Sequence, residues 1–200
     1  MSSQSRRLDS VCVYCGSSNA APVQYLQAAS TFGAILAAEG VRLVYGGGGV
    51  GLMGATARAA HAGGGRVLGV IPQFLTSHER PLGDVETIIV QSMHERKMIM
   101  YEAADAFAVL PGAIGTLEEV IELLSWRRLG LHAKPIVFYN PDGFWDLLFR
   151  LFHQIVDANL LPTEFADTWR SVERIEDLLP TLRSMPTEVF ASPPGMVELL

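Results

Sequence analysis

The chain has 200 residues, 49% of them hydrophobic, and a formal net charge of −6. That length and apolar share are enough to close one core, so a single domain over 1–200 is expected. The acidic balance excludes a general binder of nucleic-acid backbones, which needs a basic excess. The apolar stretch at 11–15 is too short for a signal-peptide core or a membrane span, so we expect a cytoplasmic protein with neither nucleic acid nor membrane as partner.

Residues 11–15 form the first apolar run and read as a strand. Within it, Cys12 and Cys15 have the C-x-x-C spacing of a redox pair or half a metal site. Residues an odd number apart on a strand point to opposite faces, and redox pairs sit instead at a helix N-terminus. Both thiols are therefore assigned to the core, and no metal site is expected. Residues 22–39 open with a proline suited to a first turn and stop at Gly40, which predicts a long helix. A strand at 42–45 and an alanine-rich helix at 51–62 follow, then strands at 66–71 and 86–91, a helix at 93–104, a strand at 106–110, a helix at 116–129, a strand at 135–139 and a helix at 144–158. A short strand near 169–172 and a helix near 175–183 complete the set. Residues 1–9 and 186–200, the latter with three prolines, are expected to be loose termini. Strands alternate with helices and lack polar alternation, the pattern of parallel strands covered on both faces. The expected fold is α/β: a Rossmann-like, doubly wound parallel sheet in three layers, α/β/α.

In such sheets ligands collect at the carboxyl ends of the strands. After strand 42–45 comes Gly46-Gly47-Gly48-Gly49-Val50-Gly51-Leu52-Met53-Gly54. Glycine lets amides crowd round an anion at a helix N-terminus, so Gly47 and Gly48 are candidate phosphate contacts. Glycine equally permits close helix–sheet packing. Gly49 to Gly54 fits G-x-G-x-x-G, yet the next strand ends in Val70-Ile71-Pro72-Gln73 with no acid for a ribose diol, which weakens a dinucleotide reading. After strand 106–110 comes Pro111-Gly112-Ala113-Ile114-Gly115-Thr116-Leu117-Glu118-Glu119. Thr116 and Glu119 have capping-box spacing, while the Pro-Gly-x-x-Gly before them shapes a turn suited to an oxyanion. The third feature is Ser92-Met93-His94-Glu95-Arg96-Lys97-Met98. Two cations at a helix N-terminus oppose its dipole unless an anion or carboxylate compensates; the alternative is two solvated charges beside a core-facing stripe of Met93, Met98 and Met100. His94 could be an acid–base group or a structural hydrogen-bonder and is assigned no role. Together the loops point to a phosphate-bearing small molecule.

These segments, with Cys15-Gly16-Ser17-Ser18, Tyr45-Gly46-Gly47-Gly48 and Pro111-Gly112-x-x-Gly115-Thr116-x-x-Glu119, resemble the LOG family, the cytokinin riboside 5′-monophosphate phosphoribohydrolases, often labelled lysine decarboxylases. The likeness covers roughly residues 10 to 180. It implies hydrolysis of the N-glycosidic bond of a purine or cytokinin riboside 5′-monophosphate, AMP among them, to free base and ribose 5-phosphate, with no cofactor and a homodimeric assembly. Carried over by position, the catalytic pair falls on Arg96 and Glu119. Substrate contacts fall on Glu79, Lys97, Ser17, Gly112, Ala113, Ile114, Gly115, Thr116, Leu117 and Glu118. The family signature is Pro-Gly-Gly-x-Gly-Thr-x-x-Glu, and Ala113 stands here at the second glycine. Were that position to need φ > 0, alanine would cost about 1 kcal/mol or more and tilt the phosphate cradle.

The implied reaction develops positive charge at the anomeric carbon. Glu119 would stabilise that charge and orient or deprotonate water, and Glu79 would hold ribose hydroxyls. Arg96 is not an acid, since guanidinium keeps its proton. A decarboxylase would need a pyridoxal phosphate lysine, and only Lys97 and Lys134 exist. A non-catalytic nucleotide-binding module would keep the loops but need no Glu119, and a nucleotide-sugar or molybdenum-cofactor carrier rests on fold analogy alone. Met98, Met100, Trp126 and Leu129 could supply a dimer patch or belong to the core. Choice between adenine and an N6-prenylated base depends on pocket shape.

Overall fold

A computed structural model describes residues 6–187. Seven strands form one parallel sheet: β1 (Ser10–Tyr14), β2 (Arg42–Tyr45), β3 (Val67–Pro72), β4 (Glu86–Val90), β5 (Ala106–Val109), β6 (Ile136–Tyr139) and β7 (Arg170–Val172). Their order is β4-β3-β2-β1-β5-β6-β7. The chain winds outward from β1 to β4, returns to lay β5 along the free side of β1, and winds outward again. Val11 is thus flanked by Leu43 on one side and Ala106 on the other. Between the carboxyl ends of β1 and β5 the winding reverses, which opens a crevice.

The helices are α1 (Val23–Ala38), α2 (Gly51–Ala62), α3 (Thr76–Glu79), α4 (Met93–Glu102), α5 (Ile114–Arg128), α6 (Asp146–Asp157) and α7 (Leu178–Ser184). One core layer joins α1, α2 and α7 to Val11, Val13, Leu43 and Ala108. The other joins α4, α5 and α6 to Tyr14, Val44, Phe107 and Phe138. The expected three-layer architecture is the one observed. Cys12 and Cys15 are buried free thiols in opposite layers, as their odd spacing requires.

The structure departs from the sequence expectations at the ends of several elements, in one added helix and at Leu8. Helix α5 begins at Ile114, two residues before the expected start, and the four-residue α3, which carries Glu79, has no counterpart among the expected elements. Of the residues for which both a dimer patch and the core were open, Met100 is wholly buried in the core, Leu129 is exposed, and Trp126 packs edge-on against Tyr101. Among the terminal residues expected to be loose, 1–5 and 188–200 lie outside the described residues. Leu8 is 2% exposed and packs into the first core layer, while Pro186 and Thr187 are exposed and outside any regular element. No helix among the described residues is long and apolar enough to cross a membrane.

Candidate active site

The crevice is built first by the turn from β5 into α5. Ala113 is the residue before the helix, with φ −104° and ψ −155°, and it offers no side-chain cap. The capping box is therefore not formed: Thr116 lies inside the first turn, and Glu119 sits in the next turn, free to face the crevice. The amides of Ile114, Gly115 and Thr116 donate to no acceptor among the described residues; the first one engaged is Leu117, to Ala113 O at 3.0 Å. Three aligned N–H groups and the positive end of a four-turn helix thus converge on open space, the arrangement that attracts an oxyanion. Gly112 has to be glycine, because a Cβ there would lie 2.2 Å from Thr116 Oγ1. Ala113 does not: its backbone is in the extended region, so alanine in place of the family's glycine carries no strain.

Beneath those amides is a cavity of about 100 Å³ into which α3, α4 and α5 each project an ionisable side chain: Glu79, Arg96 and Glu119. Cys15, Gly16, Ser17 and Met53 close the side formed by β1 and α2. Arg96 is buried and fixed by backbone carbonyls, Nε donating to Val70 O at 3.2 Å and Nη2 to Gly46 O at 3.0 Å. Gly46 makes that approach possible, since a Cβ there would fall 1.9 Å from Nη2. Nη1 remains 4.0 Å from Glu119 Oε1. Glu119 is 9% exposed, and burial pushes its carboxyl up to about 7; Arg96 pulls the other way and Glu118 adds to the rise.

Glu79 approaches from the far wall. Its Oε2 is fully shielded and has no hydrogen-bond partner among the described residues. The residue is held by its backbone, because Gly49 N donates to Glu79 O at 2.7 Å and to Arg80 O at 3.0 Å, and Gly48 bridges Pro81. Arg80 takes φ 39°, a left-handed value unusual for a residue with a Cβ. A recess of about 230 Å³, largely apolar and lined by Tyr25, Leu52 and Phe144, adjoins the cavity through Gly16, Ser17 and Ala113.

Of the residues singled out in the sequence, Arg96, Glu119, Glu79, Ser17, Ala113, Gly115 and Thr116 line the cavity, and Gly112 shapes the turn above it. Lys97 does not reach it: Nζ lies 2.5 Å from Glu118 Oε1 and 2.8 Å from Glu122 Oε2. The like charges at the start of α4 are thus compensated by protein carboxylates. Leu117 packs against the core, and Ile114 is 80% exposed at the rim. Gly47 and Gly48 are not in the cavity wall; an added Cβ would strike Ile71 from the first, and Met53 and Glu79 from the second. His94 is exposed and outside the cavity. Sequence reasoning missed the cap that α4 does possess: Ser92 Oγ accepts from Glu95 N at 3.1 Å, and Glu95 reaches back to Gln91 N at 2.9 Å. The Ser-x-x-Glu spacing was its signal.

Comparison with known proteins returns a consistent set. Residues 53–182 match the family model described as "Possible lysine decarboxylase". The chain is 43% identical over 164 residues to the "Probable cytokinin riboside 5′-monophosphate phosphoribohydrolase LOG6" of Arabidopsis thaliana, covering 80% of this chain and 81% of that one. It is 48% identical over 143 residues to the "Cytokinin riboside 5′-monophosphate phosphoribohydrolase LOG" of Oryza sativa subsp. japonica, covering 70% of this chain and 58% of that one. Among solved structures, the molybdenum cofactor carrier protein of Chlamydomonas reinhardtii superposes with a TM-score of 0.67 over 90% of this chain and 98% of that one, at 19% identity, a likeness of fold.

Proposed function

The chain belongs to the LOG family, and from that premise we propose that it hydrolyses the N-glycosidic bond of a purine riboside 5′-monophosphate, releasing free base and ribose 5-phosphate. The observation that carries the reading is the vertical order at the start of α5: three unengaged amides, and one turn below them a buried carboxyl beside a fixed guanidinium. A phosphate held by the amides of Ile114, Gly115 and Thr116, with Ser17 opposite, sets the ribose over Glu119.

As the bond to the base breaks, its electron pair leaves with the base and positive charge develops at the anomeric carbon. Ionised Glu119 stabilises that charge. With its carboxyl near 7, the same group can take a proton from the attacking water or give one to the departing base at neutral pH. Arg96 keeps its proton and its place; its role is electrostatic, orienting Glu119 and ligand oxygens. Glu79, which projects into the same cavity, is placed to accept from a ribose hydroxyl. Gly46 and Gly48 serve by leaving room for Arg96 and Glu79, and Lys97 acts through Glu118 rather than on the ligand. The adjoining recess provides volume that a whole nucleotide needs and the 100 Å³ cavity lacks.

Decarboxylation through a pyridoxal phosphate lysine finds no support in either lysine. Lys97 is bound by two carboxylates, and Lys134 donates to Tyr101 O at 2.6 Å, outside the cavity. We also infer a cytoplasmic homodimer. Both cysteines are free, as in reducing compartments, and Ile121 and Leu129 leave apolar surface on α5 and just beyond it; light scattering at micromolar concentration decides between dimer and monomer.

The deciding experiment is chromatographic detection of base released from AMP, N6-isopentenyladenosine monophosphate and the free nucleosides, with wild type beside Glu119→Gln. Base from monophosphates alone, lost in the variant, is the expected result. Binding of AMP without release of base would make the protein a nucleotide-binding module and sink the hydrolase assignment.

A further inference from the structure

Two long helices, α2 and α5, begin at the carboxyl edge of the sheet behind glycine-rich approaches, and their first amides meet opposite fates. At α5 they face open space. At α2 all three are engaged by one loop: Gly51 N donates to Asn19 Oδ1 at 2.9 Å, while Leu52 N and Met53 N both reach Gly16 O, at 3.0 and 3.4 Å. The side-chain oxygen of Asn19 therefore stands where an anion would stand at a free helix N-terminus. Contact is close along the whole loop. Gly51 has φ 58°, and a Cβ on it would lie 2.4 Å from the carbonyl carbon of Ser17 and 2.7 Å from Ser18 N. Ser18 folds the loop back on itself, its Oγ accepting from Ala20 N at 3.2 Å.

The loop seated in this way supplies Gly16 and Ser17 to the wall shared by the cavity and the apolar recess. Asn19 itself is exposed and lines neither. We propose that Asn19 is a positioning residue: by plugging the N-terminus of α2 with a neutral oxygen, it holds Ser17 against the rim formed by the α5 amides, and so sets affinity for the phosphate-bearing substrate without touching it. An uncharged plug suits the place. It satisfies a helix amide without adding a negative charge beside the phosphate. It also leaves α5 as the helix whose dipole the ligand meets. The inference rests on the reading that the substrate phosphate lies between Ser17 and α5.

The test uses the full-length protein and compares wild type with Asn19→Ala and Asn19→Asp, the second of which keeps an oxygen acceptor. Steady-state base release from a riboside monophosphate gives kcat and KM, and amide hydrogen exchange over 51–53 reports the plug directly. Loss of one capping acceptor is worth about a fivefold to tenfold change in an equilibrium. Asn19→Ala is expected to raise KM by about that factor with kcat within about twofold, and to speed exchange at Gly51 by a similar factor. Asn19→Asp keeps the acceptor and is expected to hold exchange at Gly51 within about twofold of wild type, with KM between those of wild type and Asn19→Ala because it adds a negative charge beside the phosphate. An unchanged KM in Asn19→Ala, equal impairment in both variants, or a fall in kcat alone overturns the proposal. Unaltered exchange at Gly51 overturns the plug. A wild type that releases no base but binds AMP removes the hydrolase reading alone, and the proposal is then decided by whether Asn19→Ala weakens AMP binding by the same factor. A wild type that neither cleaves nor binds AMP overturns both.

Discussion

Replacing Glu119 by glutamine should abolish turnover and, at neutral to alkaline pH, make the protein more stable. Burial raises the carboxyl from 4.5 to about 7, because the pull of Arg96 at 4.0 Å falls short of the cost of taking a carboxylate out of water. A carboxyl raised in the folded state favours folding while it is protonated. That contribution is fully present below 4.5, declines as pH rises, and is gone above about 7, where a buried carboxylate penalises the fold. At 1.36 kcal/mol per unit, the penalty amounts to about 1 kcal/mol at pH 5 and about 3 kcal/mol at pH 8. Glutamine has the same shape and no charge to desolvate, and Arg96 keeps its bonds to Val70 O and Gly46 O. The variant's advantage should therefore be small below pH 4.5 and grow to about 3 kcal/mol at pH 8, or about 6–12 °C in Tm for a chain of this size. Thermal and urea unfolding of both proteins from pH 4.5 to 8.5 measures the gap. A gap that does not change with pH, or a variant less stable than wild type at pH 8, would refute the claim that Glu119 is destabilised by its own site. The expected result is the signature of a group kept for chemistry at the expense of stability.

Arg96→Lys should lower kcat/KM for base release at least about 100-fold, because an ammonium cannot reach Val70 O, Gly46 O and Glu119 at once; a loss under tenfold would argue that the fork is dispensable. Ala113→Gly should cost about 0.5–1 kcal/mol in urea unfolding, since the native φ of −104° suits alanine and glycine only adds freedom to the unfolded chain. A gain in stability there would mean that alanine is strained after all. Ser92→Ala should destabilise by about 1 kcal/mol through loss of the α4 cap, with KM unaffected; a shift in KM would place Ser92 nearer the ligand than its geometry allows.

The sheet was legible because burial on both faces writes an unbroken apolar run into each strand, and 11–15, 42–45 and 106–110 are short enough to exclude helix. Ends shifted by a residue or two, which left most of the site intact. At α5 the shift mattered. Thr116 and Glu119 have the spacing of a capping box, but the helix starts at Ile114 with an uncapped Ala113, and the spacing alone cannot reveal which residue is first in the helix. The box that exists, at Ser92 and Glu95, has the same spacing at a start that was placed correctly. The glycine loop was ambiguous for a related reason. Glycine records that something comes close, not what. At Gly46, Gly48 and Gly51 the close neighbours are Arg96, Glu79 and the Ser17–Ser18 backbone, all distant in sequence and invisible without the fold.

Arg96 and Lys97 bring out the same limit and show what resolves it. Adjacent on α4, they presented one clue, two cations at a helix start, and that clue required compensation without saying whose. Neighbouring residues on a helix point about 100° apart, so each looks onto a different element. Lys97 turns toward the outer carboxylates of α5 and finds Glu118 and Glu122, a satisfied pair that leaves it little to offer a ligand. Arg96 turns toward the carboxyl edge of the sheet. There two backbone carbonyls fix its plane, and the nearest carboxylate stops at 4.0 Å, too far for a full hydrogen bond and close enough to hold an ionised Glu119 in place. The incomplete pairing is what separates a chemical group from a structural one. A satisfied ion pair would depress the Glu119 carboxyl and fix it as a permanent anion, whereas the partial one leaves it near 7, able to exchange a proton at the pH where a cell works.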